Sequence, residues 1–473
     1  MTLPTNKTKI VCTIGPASQS RDVMEKILLA GMNVARLNFS HGDFTSHAKA
    51  IENLRAAAGA TGKSVTIMAD LPGPKMRIGQ LDREPIDLRP EDLFTLTTDD
   101  IIGDAHRVSV TFTRLPQAVK PGDTLYLNDG LIQLAVEQVQ GSDVRCRVIV
   151  GGELRSRKGL NLPGIDLGIG AFTEHDHACM AFALENGVDA VSQSFVESSA
   201  DVEAVRSAAA ALGYQPFIIA KIERSKALNH IDDIIAAADG IMIARGDLGV
   251  ELPIEQIPVV QKQIMRKANL YARPVITATQ MLESMTTNPR PTRAEATDVA
   301  NAILDGTDCV MLSGESAMGS YPLEATAMLA KIAAAIEPHR SSSFIREVVK
   351  GMDLEGKRKP SNVIALSVDT AIGYTSPAAV FVPTHSGTTA RNITRFRLPV
   401  WIVAVSSEEA TYRQLAFSYG VYPEIERDHP ADWNPYIRAW VRNHGIEATQ
   451  ALLTEEPSPE HPEANHRLEI VEL

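Results

Sequence analysis

Two carboxylates and a lysine lie at the ends of neighbouring apolar segments in the middle of the sequence. Lys221 and Glu223 close the run that starts at residue 217, and Asp247 closes the next run. Because alternate residues of a strand share a face, Lys221 and Glu223 point to the same side. The carboxylates suit a hard divalent cation, and the ammonium supplies positive charge for phosphoryl transfer. A buried ion pair is the alternative, but three such residues at adjacent strand ends favour catalysis.

Two further features could bind part of a substrate. Gly246 and Gly249 flank Asp247 in a turn whose backbone N–H groups can bind a carboxylate or phosphate, although an ordinary tight turn has the same pattern. The next apolar run ends near Thr279, whose hydroxyl could hold a substrate or relay a proton. β-branched residues also favour strands for packing reasons alone, so both interpretations stay open.

Polar side chains also alternate along an earlier strand-like run. Arg36, Asn38 and Ser40 share one face, and burying three unpaired polar groups would be costly, so packing does not explain them. Arg36 suits a phosphoryl group through paired hydrogen bonds. Asn38, Ser40 and Asp70 could support that interaction or bind an ion.

These residues belong to a pattern of short apolar runs separated by helical segments. Three runs precede residue 74 and five follow residue 170, which makes the eight strands of a (β/α)₈ barrel with its active site at the strands' C-terminal ends. A doubly wound sheet has the same rhythm, but its GxGxxG fingerprint is absent. The runs are 9–15, 32–40, 64–71, 189–195, 217–223, 240–247, 273–280 and 309–315.

Two regions interrupt or follow this pattern. Residues 74–170 lack a helical period and carry a hairpin signal at Asn128-Asp129-Gly130, so we predict an all-β insert within a barrel formed by 1–73 and 171–338. Residues 339–473 predict a separate α/β domain. It begins with a connection or surface helix at 340–359 and ends with a loop at 454–466 and a strand at 468–473. Its other strand-like runs are 363–368, 379–383 and 400–405.

Composition excludes several classes of protein. Hydrophobic residues make up 44% and charged residues 22%, which indicates a folded core and not a disordered chain. The net charge of −12, with no strongly basic patch, argues against nucleic-acid partners. Four scattered cysteines argue against a disulfide framework or structural zinc. No apolar run is long enough to span a membrane and the N-terminus lacks a signal-peptide core, so we expect a cytoplasmic protein.

Six segments resemble motifs of pyruvate kinases, and together they span the predicted barrel almost end to end. The family has a (β/α)₈ barrel, a β-barrel lid inserted after the third strand and a C-terminal α/β regulatory domain, which is the same division. The segments are TKIVCTIGPAS (8–18), GMNVARLNFSHG (31–42), AKIE (220–223), ARGDLGVE (244–251), TATQMLESM (277–285) and PRPTRAEATDVANAILDGTDCVMLSGE (289–315).

This resemblance implies transfer of the phosphoryl group of phosphoenolpyruvate to ADP, giving pyruvate and ATP as the last step of glycolysis. Lys221 would stabilise the transferring group, and Glu223 and Asp247 would hold Mg²⁺ or Mn²⁺. Gly246 and its neighbouring amides, with Thr279, would hold the substrate carboxylate. Thr279 would also lie near the route by which the enolate is protonated. The family suggests a homotetramer of D₂ symmetry.

The resemblance also assigns three cationic residues. Arg36 would contact the phosphoryl group, and Arg77 and Lys158 would reach the nucleotide phosphates. The basic stretch that contains Lys158 would otherwise be a solvated loop. Closure of the lid would exclude water that could accept the phosphoryl group.

One departure from the family concerns a monovalent cation. Many members bind K⁺ through residues that match Asn38, Ser40, Asp70 and the carbonyl of Leu71. In those members the segment that matches residues 70–75 reads DTKGPE. This chain reads DLPGPK, so Lys75 replaces the glutamate, as in the bacterial branch that works without K⁺. An ammonium and a K⁺ ion in one pocket would repel each other, so we expect K⁺ independence.

A second departure concerns regulation. The segment Thr384-His385-Ser386-Gly387-Thr388-Thr389 resembles the family's effector phosphate-binding loop, although His385 could be a plain loop residue. The other effector segment, glycine-rich with Trp and Arg in members regulated by fructose 1,6-bisphosphate, is the acidic 454–460 here. Carboxylates would repel a second phosphate, so a sugar monophosphate or a nucleotide is the expected activator.

Two other classes of function stay open on the sequence. One is another metal-dependent phosphoenolpyruvate or pyruvate enzyme, for instance a carbon–carbon lyase, which would not explain a lid carrying Lys158. The other is a non-catalytic barrel that binds or regulates, against which the intact Lys221, Glu223, Asp247 and Thr279 argue.

Overall fold

A closed barrel of eight parallel strands forms the centre of the molecule. The computed structural model describes residues 3–340, 343–352, 360–428, 430, 432–457 and 465–473. Neighbouring strands of the barrel follow one another along the chain, and the eighth pairs with the first. The (β/α)₈ prediction is therefore confirmed. The strands are Lys9–Thr13, Met32–Asn38, Thr66–Leu71, Ala190–Gln193, Phe217–Ile222, Gly240–Ala244, Val275–Ala278 and Cys309–Leu312.

Helices cover the outside of the barrel and begin and end at residues suited to those positions. Ser20 accepts a hydrogen bond from the Val23 amide at the start of one helix, and Gly31 ends it with a positive φ of 124°. Thr292 and Glu295 form a capping box at the start of another helix. The larger helices are Arg21–Ala30, Phe44–Thr61, Glu174–Glu185, Ser199–Ala211, Ile231–Ala237, Arg245–Glu251, Ile257–Leu270, Arg293–Asp305 and Pro322–Ile336.

The end of the barrel opposite the polar strand ends is closed by the C-terminal region. Phe417 stacks on Phe217 with ring centroids 5.2 Å apart, and its carbonyl accepts a hydrogen bond from Cys309 Sγ at 3.2 Å. Phe417 joins the apolar side chains that fill the barrel interior. Ligands can therefore approach the barrel interior from the C-terminal ends of the strands, where the polar residues lie.

The segment inserted after the third strand is built from β-strands around one apolar core. Asn128, Asp129 and Gly130 form the predicted hairpin turn, and all three have positive φ. A short helix, Leu115–Ala118, lies among the strands. One sheet comprises Leu160–Asn161, Thr124–Leu127, Ile132–Gln140, Asp143–Val150, Leu93–Thr97 and Arg107–Ser109, and a second comprises Ile86–Leu88 and Gly152–Leu154.

The C-terminal region is an α/β unit with a five-stranded sheet. Its strands lie in the order Val421–Ile425, Trp401–Ser406, Ala379–Pro383, Gln450–Glu455 and Arg467–Glu472, with only the last pairing antiparallel. Helices pack around this sheet, and the helix predicted within 340–359 is present. They are Ser343–Met352, Pro360–Tyr374, Thr388–Thr394, Glu409–Gln414 and Asn434–Asn443, while residues 353–359 lie outside the described residues.

Two predictions for this region are wrong. The run 363–368 is part of the helix Pro360–Tyr374, because a short apolar run also fits the buried face of a helix, and Ala365, Val368 and Asp369 are the buried positions. The predicted loop 454–466 begins too early, since Thr454 and Glu455 still belong to a paired strand. Residues 458–464 lie outside the described residues.

Candidate active site

Asp70 lies at the centre of the polar side chains at the barrel mouth. The strand register places it opposite Asn38 on one side and Ser192 on the other. Its carboxylate accepts hydrogen bonds from Ser192 Oγ at 2.9 Å and Arg36 Nε at 2.7 Å, and it lies 3.1 Å from Lys221 Nζ. Burial alone would raise the pKa of Asp70, but the charges of Lys221 and Arg36 outweigh burial and hold it at about 2. Asp70 is therefore an ionised anchor for two cations.

Lys221 is a buried ammonium with three polar partners. Besides Asp70, Nζ lies 2.9 Å from Glu223 Oε1 and donates to Ser194 Oγ at 2.6 Å. The side chain is 10% exposed. Burial opposes the charged form, but Asp70 and Glu223 outweigh it and raise the pKa of Lys221 above its ordinary value. The site thus holds a permanent positive charge beside a carboxylate that can bind a metal.

Arg36 adds a second fixed charge on the neighbouring side of Asp70. Its Nη1 donates to Thr13 Oγ1 at 2.9 Å, while Nε and Nη2 face Asp70. These partners come from the first and third strands and flank the second, so the guanidinium is held across three strands. A planar cation held in this way is suited to binding phosphoryl oxygens.

Asp247 lies on a helix and not at a strand end. The prediction that residues 245–247 close the sixth strand is wrong, because pairing with the seventh strand ends at Ala244 and the chain then turns into the helix Arg245–Glu251. Within the described part of the chain, the Asp247 carboxylate accepts no hydrogen bond and forms no ion pair. Burial and the charge of Glu223 raise its pKa to about 6.

Glu223 and Asp247 have the chemistry expected of two ligands to a divalent cation. Glu223 Oε2 accepts from the Phe195 amide at 2.9 Å, which fixes the carboxylate. Burial and the negative charge of Glu223 both make the ionised form of Asp247 unfavourable. A cation between the two carboxylates would offset that unfavourable free energy. No group of three or more His, Cys, Asp or Glu converges as a metal site in the described ranges, so substrate and water oxygens would complete the coordination.

Thr279 and Gly246 meet across adjacent elements. The Gly246 amide donates to Thr279 Oγ1 at 2.8 Å, and the hydroxyl donates to the Ala278 carbonyl at 2.6 Å. Gly246 is exposed in the first turn of its helix, and an added Cβ would lie 3.5 Å from Thr279 Oγ1. This arrangement places the Thr279 hydroxyl against the first turn of the helix that carries Asp247.

The residues expected at the monovalent-cation position are already hydrogen-bonded to the protein. Asn38 Oδ1 accepts from the Ser40 amide at 3.1 Å, and the Leu71 carbonyl accepts from Ser194 Oγ at 2.7 Å. The Lys75 ammonium forms no hydrogen bond or ion pair, with Asp70 or with any other residue that the structure describes. The pKa of Lys75 lies below its ordinary value, because desolvation and the charge of Lys221 lower it by more than Asp247, Glu223 and Asp70 raise it.

The lid reaches over the barrel mouth. A Cβ added at Gly130 in the hairpin turn would lie 3.3 Å from Val250, on the helix that carries Asp247. The Asp129 carboxylate is close enough to raise the pKa of Asp247. The tip of the lid therefore lies against the helix that carries Asp247.

The two lid cations occupy adjacent strand segments. Arg77 pairs with Gly159, and its Nη1 donates to the Arg157 carbonyl at 2.8 Å. Lys158, half-buried, accepts a backbone hydrogen bond from Ile78. His41 follows the second strand at the barrel mouth. Burial lowers its pKa, and the positive charges of Lys75, Arg77 and Arg36 lower it further, so the charge of Arg77 acts on the barrel mouth.

The expected effector loop joins a strand to a short helix in the C-terminal unit. Thr384 Oγ1 accepts from the Gly387 amide at 3.0 Å, Ser386 and Thr388 hydroxyls are 2.9 Å apart, and the His385 carbonyl accepts from Thr411. Thr389 Oγ1 donates to Glu456 Oε2 at 2.8 Å. A carboxylate from the acidic segment therefore lies directly against the loop.

Sequence reasoning missed three polar residues of this site. Ser192 and Ser194 alternate at the end of the fourth strand, and the rule that identified Lys221 and Glu223 would have found them. Asp129 carries no such signal, because its approach to Asp247 depends on how the lid sits on the barrel.

In the ranges that the structure describes, no helix combines the length and apolarity needed to cross a membrane.

Comparisons with known proteins point to one family. A model of the pyruvate kinase barrel domain matches residues 5–326, and a model of the pyruvate kinase alpha/beta domain matches residues 362–449. The pyruvate kinase of Thermococcus litoralis is 50% identical over 424 residues, which cover 89% of each chain. That of Geobacillus stearothermophilus is 44% identical over 421 residues, covering 88% of this chain and 71% of the relative.

The fold agrees as well. The crystal structure of a pyruvate kinase from Cryptosporidium parvum superposes with a TM-score of 0.92 at 33% identity, covering 99% of this chain and 96% of the other. The barrel-domain model spans the part of the chain that carries Lys221, Glu223 and Asp247. The chain belongs to the pyruvate kinase family and is a phosphotransferase.

Proposed function

We propose that the chain transfers the phosphoryl group of phosphoenolpyruvate to ADP, with Mg²⁺ or Mn²⁺ held by Glu223 and Asp247. The observation that carries this assignment is the buried Lys221 ammonium, 2.9 Å from one metal-binding carboxylate and beside the cationic Arg36. Positive charge fixed in a partly desolvated site stabilises a transferring phosphoryl group, since no reorganisation is needed during the reaction. The bound cation supplies further positive charge for the phosphoryl oxygens and the enolate.

The surrounding residues orient the substrate and exclude water. On substrate binding, the Gly246 amide and the Thr279 hydroxyl exchange their present hydrogen bonds for the carboxylate of phosphoenolpyruvate. Thr279 lies on the proton route to the enolate carbon. Arg36 binds the phosphoryl group, while Arg77 and Lys158 on the lid bind the nucleotide phosphates. The contact between the lid tip and Val250 supports a closed state in which water cannot accept the phosphoryl group.

A coupled assay of pyruvate formation tests the assignment. Purified protein should form pyruvate from phosphoenolpyruvate only when both ADP and a divalent cation are present. Pyruvate without ADP would indicate a hydrolase or a lyase, and no pyruvate at all would indicate a non-catalytic barrel. Either result would contradict the proposal.

We propose that Lys75 supplies the positive charge that K⁺ provides in other members of the family. Its ammonium interacts electrostatically with Asp70, Glu223 and Asp247 without contacting them, which adds positive charge to the carboxylate cluster. The oxygens of Asn38 and Leu71 are meanwhile engaged by hydrogen bonds within the protein. The site therefore has a cation of its own.

Activity should be equal in K⁺-free and K⁺-containing buffer of the same ionic strength. Lys75→Glu should lose most activity in K⁺-free buffer and regain part of it with K⁺, because the substitution removes one positive charge and adds a negative one. Lys63→Glu, on an exposed loop, is the matched control. Strong K⁺ stimulation of the unmodified enzyme would refute K⁺ independence.

The effector is proposed to be a sugar monophosphate or a nucleotide bound at residues 384–389. Glu456 already accepts a hydrogen bond from Thr389, so a phosphate there must displace or protonate a carboxylate. Glu456→Gln should lower the concentration of a sugar monophosphate needed for half-maximal activation. Dose–response curves with the monophosphate and with fructose 1,6-bisphosphate would measure this effect. Strong activation of the unmodified enzyme by the bisphosphate would contradict the proposal.

The cytoplasmic location, the place at the end of glycolysis and the homotetramer of D₂ symmetry are further proposals that rest on family membership. Light scattering of the purified protein should give a mass four times that of the chain. A monomeric or dimeric mass would contradict the tetramer.

A further inference from the structure

The turn that carries Thr279 has an unusual backbone. Thr279 and Gln280, directly after the seventh strand, have φ angles of 69° and 51°. Side chains other than glycine rarely adopt this left-handed region, and β-branched residues do so least. A β-branched residue persists in this region only where surrounding contacts hold it, and strain of this kind concentrates at functional sites.

One side chain supplies those contacts. The Arg245 guanidinium donates to three successive carbonyls, those of Ala278 at 3.3 Å, Thr279 at 2.7 Å and Gln280 at 3.5 Å. Arg245 begins the helix that carries Gly246 and Asp247, so the turn is tied to the element that supplies the other side of the substrate site.

Asp298 orients this guanidinium from the opposite side. Its carboxylate oxygens lie 2.8 and 2.7 Å from Arg245 Nη1. Asp298 belongs to the helix Arg293–Asp305, outside the barrel mouth, and its side chain is 40% exposed, whereas that of Arg245 is 13% exposed. A paired carboxylate fixes the plane of the guanidinium, and with it the directions of the N–H groups that reach the turn.

The consequence for Thr279 is geometric. Its hydroxyl donates to the Ala278 carbonyl and accepts from the Gly246 amide, so its position depends on the left-handed turn. If the guanidinium were lost, the turn could relax to negative φ, and the hydroxyl would leave the Gly246 amide. Arg245 touches the turn and not the metal-binding carboxylates.

We propose that Arg245, oriented by Asp298, is a positioning residue that holds Thr279 in the conformation it needs for substrate alignment and proton transfer. The inference rests on the role that the proposed function gives to Thr279. It requires Arg245 and Asp298 to act through Thr279 and not directly on the nucleotide.

A double-mutant cycle tests this dependence. Arg245→Lys and Asp298→Asn should each lower kcat by about 10- to 100-fold, because small displacements of aligned groups have effects of that size. KM for ADP should not change. The exchange of pyruvate methyl protons with D₂O, followed by NMR, should fall by the same factor. In a Thr279→Ala background neither substitution should lower the rates further. Arg293→Lys, on the exposed start of the same outer helix, is the control.

The outcomes separate the inference from the function on which it rests. Full activity of Thr279→Ala would overturn the role proposed for Thr279 and this inference with it. Loss of activity in Thr279→Ala together with full activity in Arg245→Lys would overturn this inference alone, as would additive losses in the double variants. If Arg245→Lys fails to fold, Asp298→Asn at the partly exposed end of the pair provides the same test.

Discussion

Replacing Lys221 by methionine should lower the rate of phosphoryl transfer by at least about 10³-fold, the effect typical of removing a cation that stabilises this transition state. Methionine keeps the length and apolar stem of lysine but removes the ammonium that lies within 3.1 Å of Asp70 and Glu223. Asp70 keeps Arg36 and Ser192 as partners, and Glu223 keeps the Phe195 amide. The fold should therefore survive, which circular dichroism would verify.

A matched substitution separates the loss of this charge from general effects. Lys226→Met removes a lysine only five positions away, on a side chain that pairs with Asp166 and Glu197 outside the carboxylate cluster. Its phosphoryl-transfer rate should match that of the unmodified enzyme. A folded Lys221→Met protein with an undiminished rate would show that the ammonium is not part of the catalytic machinery.

Replacing Asp247 by asparagine should stabilise the metal-free protein and abolish its response to metal. Burial and Glu223 raise the pKa of Asp247 to about 6, so its ionised form costs folding free energy. A carboxyl with a raised pKa binds its proton more tightly in the folded state, so the folded state loses stability as pH rises from about 4 to about 6. Near pH 8 the free energy of unfolding of the asparagine variant should therefore be higher by about 3 kcal/mol, and its unfolding temperature a few degrees higher. Near pH 4 the gain should vanish.

Metal binding should make the unmodified protein unfold at a higher temperature than Asp247→Asn. Mn²⁺ should raise the unfolding temperature of the unmodified protein, because binding to the folded state stabilises it by mass action, and should have little effect on Asp247→Asn. Phosphoryl transfer by the variant should fall by at least about 10²-fold. Asp100→Asn, on an exposed lid residue, is the control for a lost carboxylate. Equal stabilisation of both proteins by Mn²⁺ would exclude Asp247 as a ligand.

The barrel and part of its mouth could be predicted from the sequence because they follow local rules. Strand alternation placed Lys221 and Glu223 on one face, and the structure shows their charged groups 2.9 Å apart. Three strands before the insert and five after it predicted the barrel, because short apolar runs alternate regularly with longer segments of helical period.

Features that depend on tertiary contacts escaped prediction. Asp247 was assigned to a strand end because the apolar run gives no sign of where pairing with the next strand stops. The run 363–368 was taken for a strand, although the same residues form one face of a helix. Gly130 approaches Val250, and Asp129 acts on Asp247, only because the lid folds back over the barrel, and no spacing in the sequence encodes that approach.

³¹P NMR of the purified protein with phosphoenolpyruvate, ADP and Mg²⁺ tests the central claim most directly. The phosphoenolpyruvate signal should disappear as ATP appears in equal amount, and chelation of the metal should stop both changes together. Consumption of phosphoenolpyruvate with release of free phosphate, or continued ATP formation after chelation, would contradict the claim. The claim is a metal-dependent transfer to ADP at the site that Lys221, Glu223 and Asp247 form.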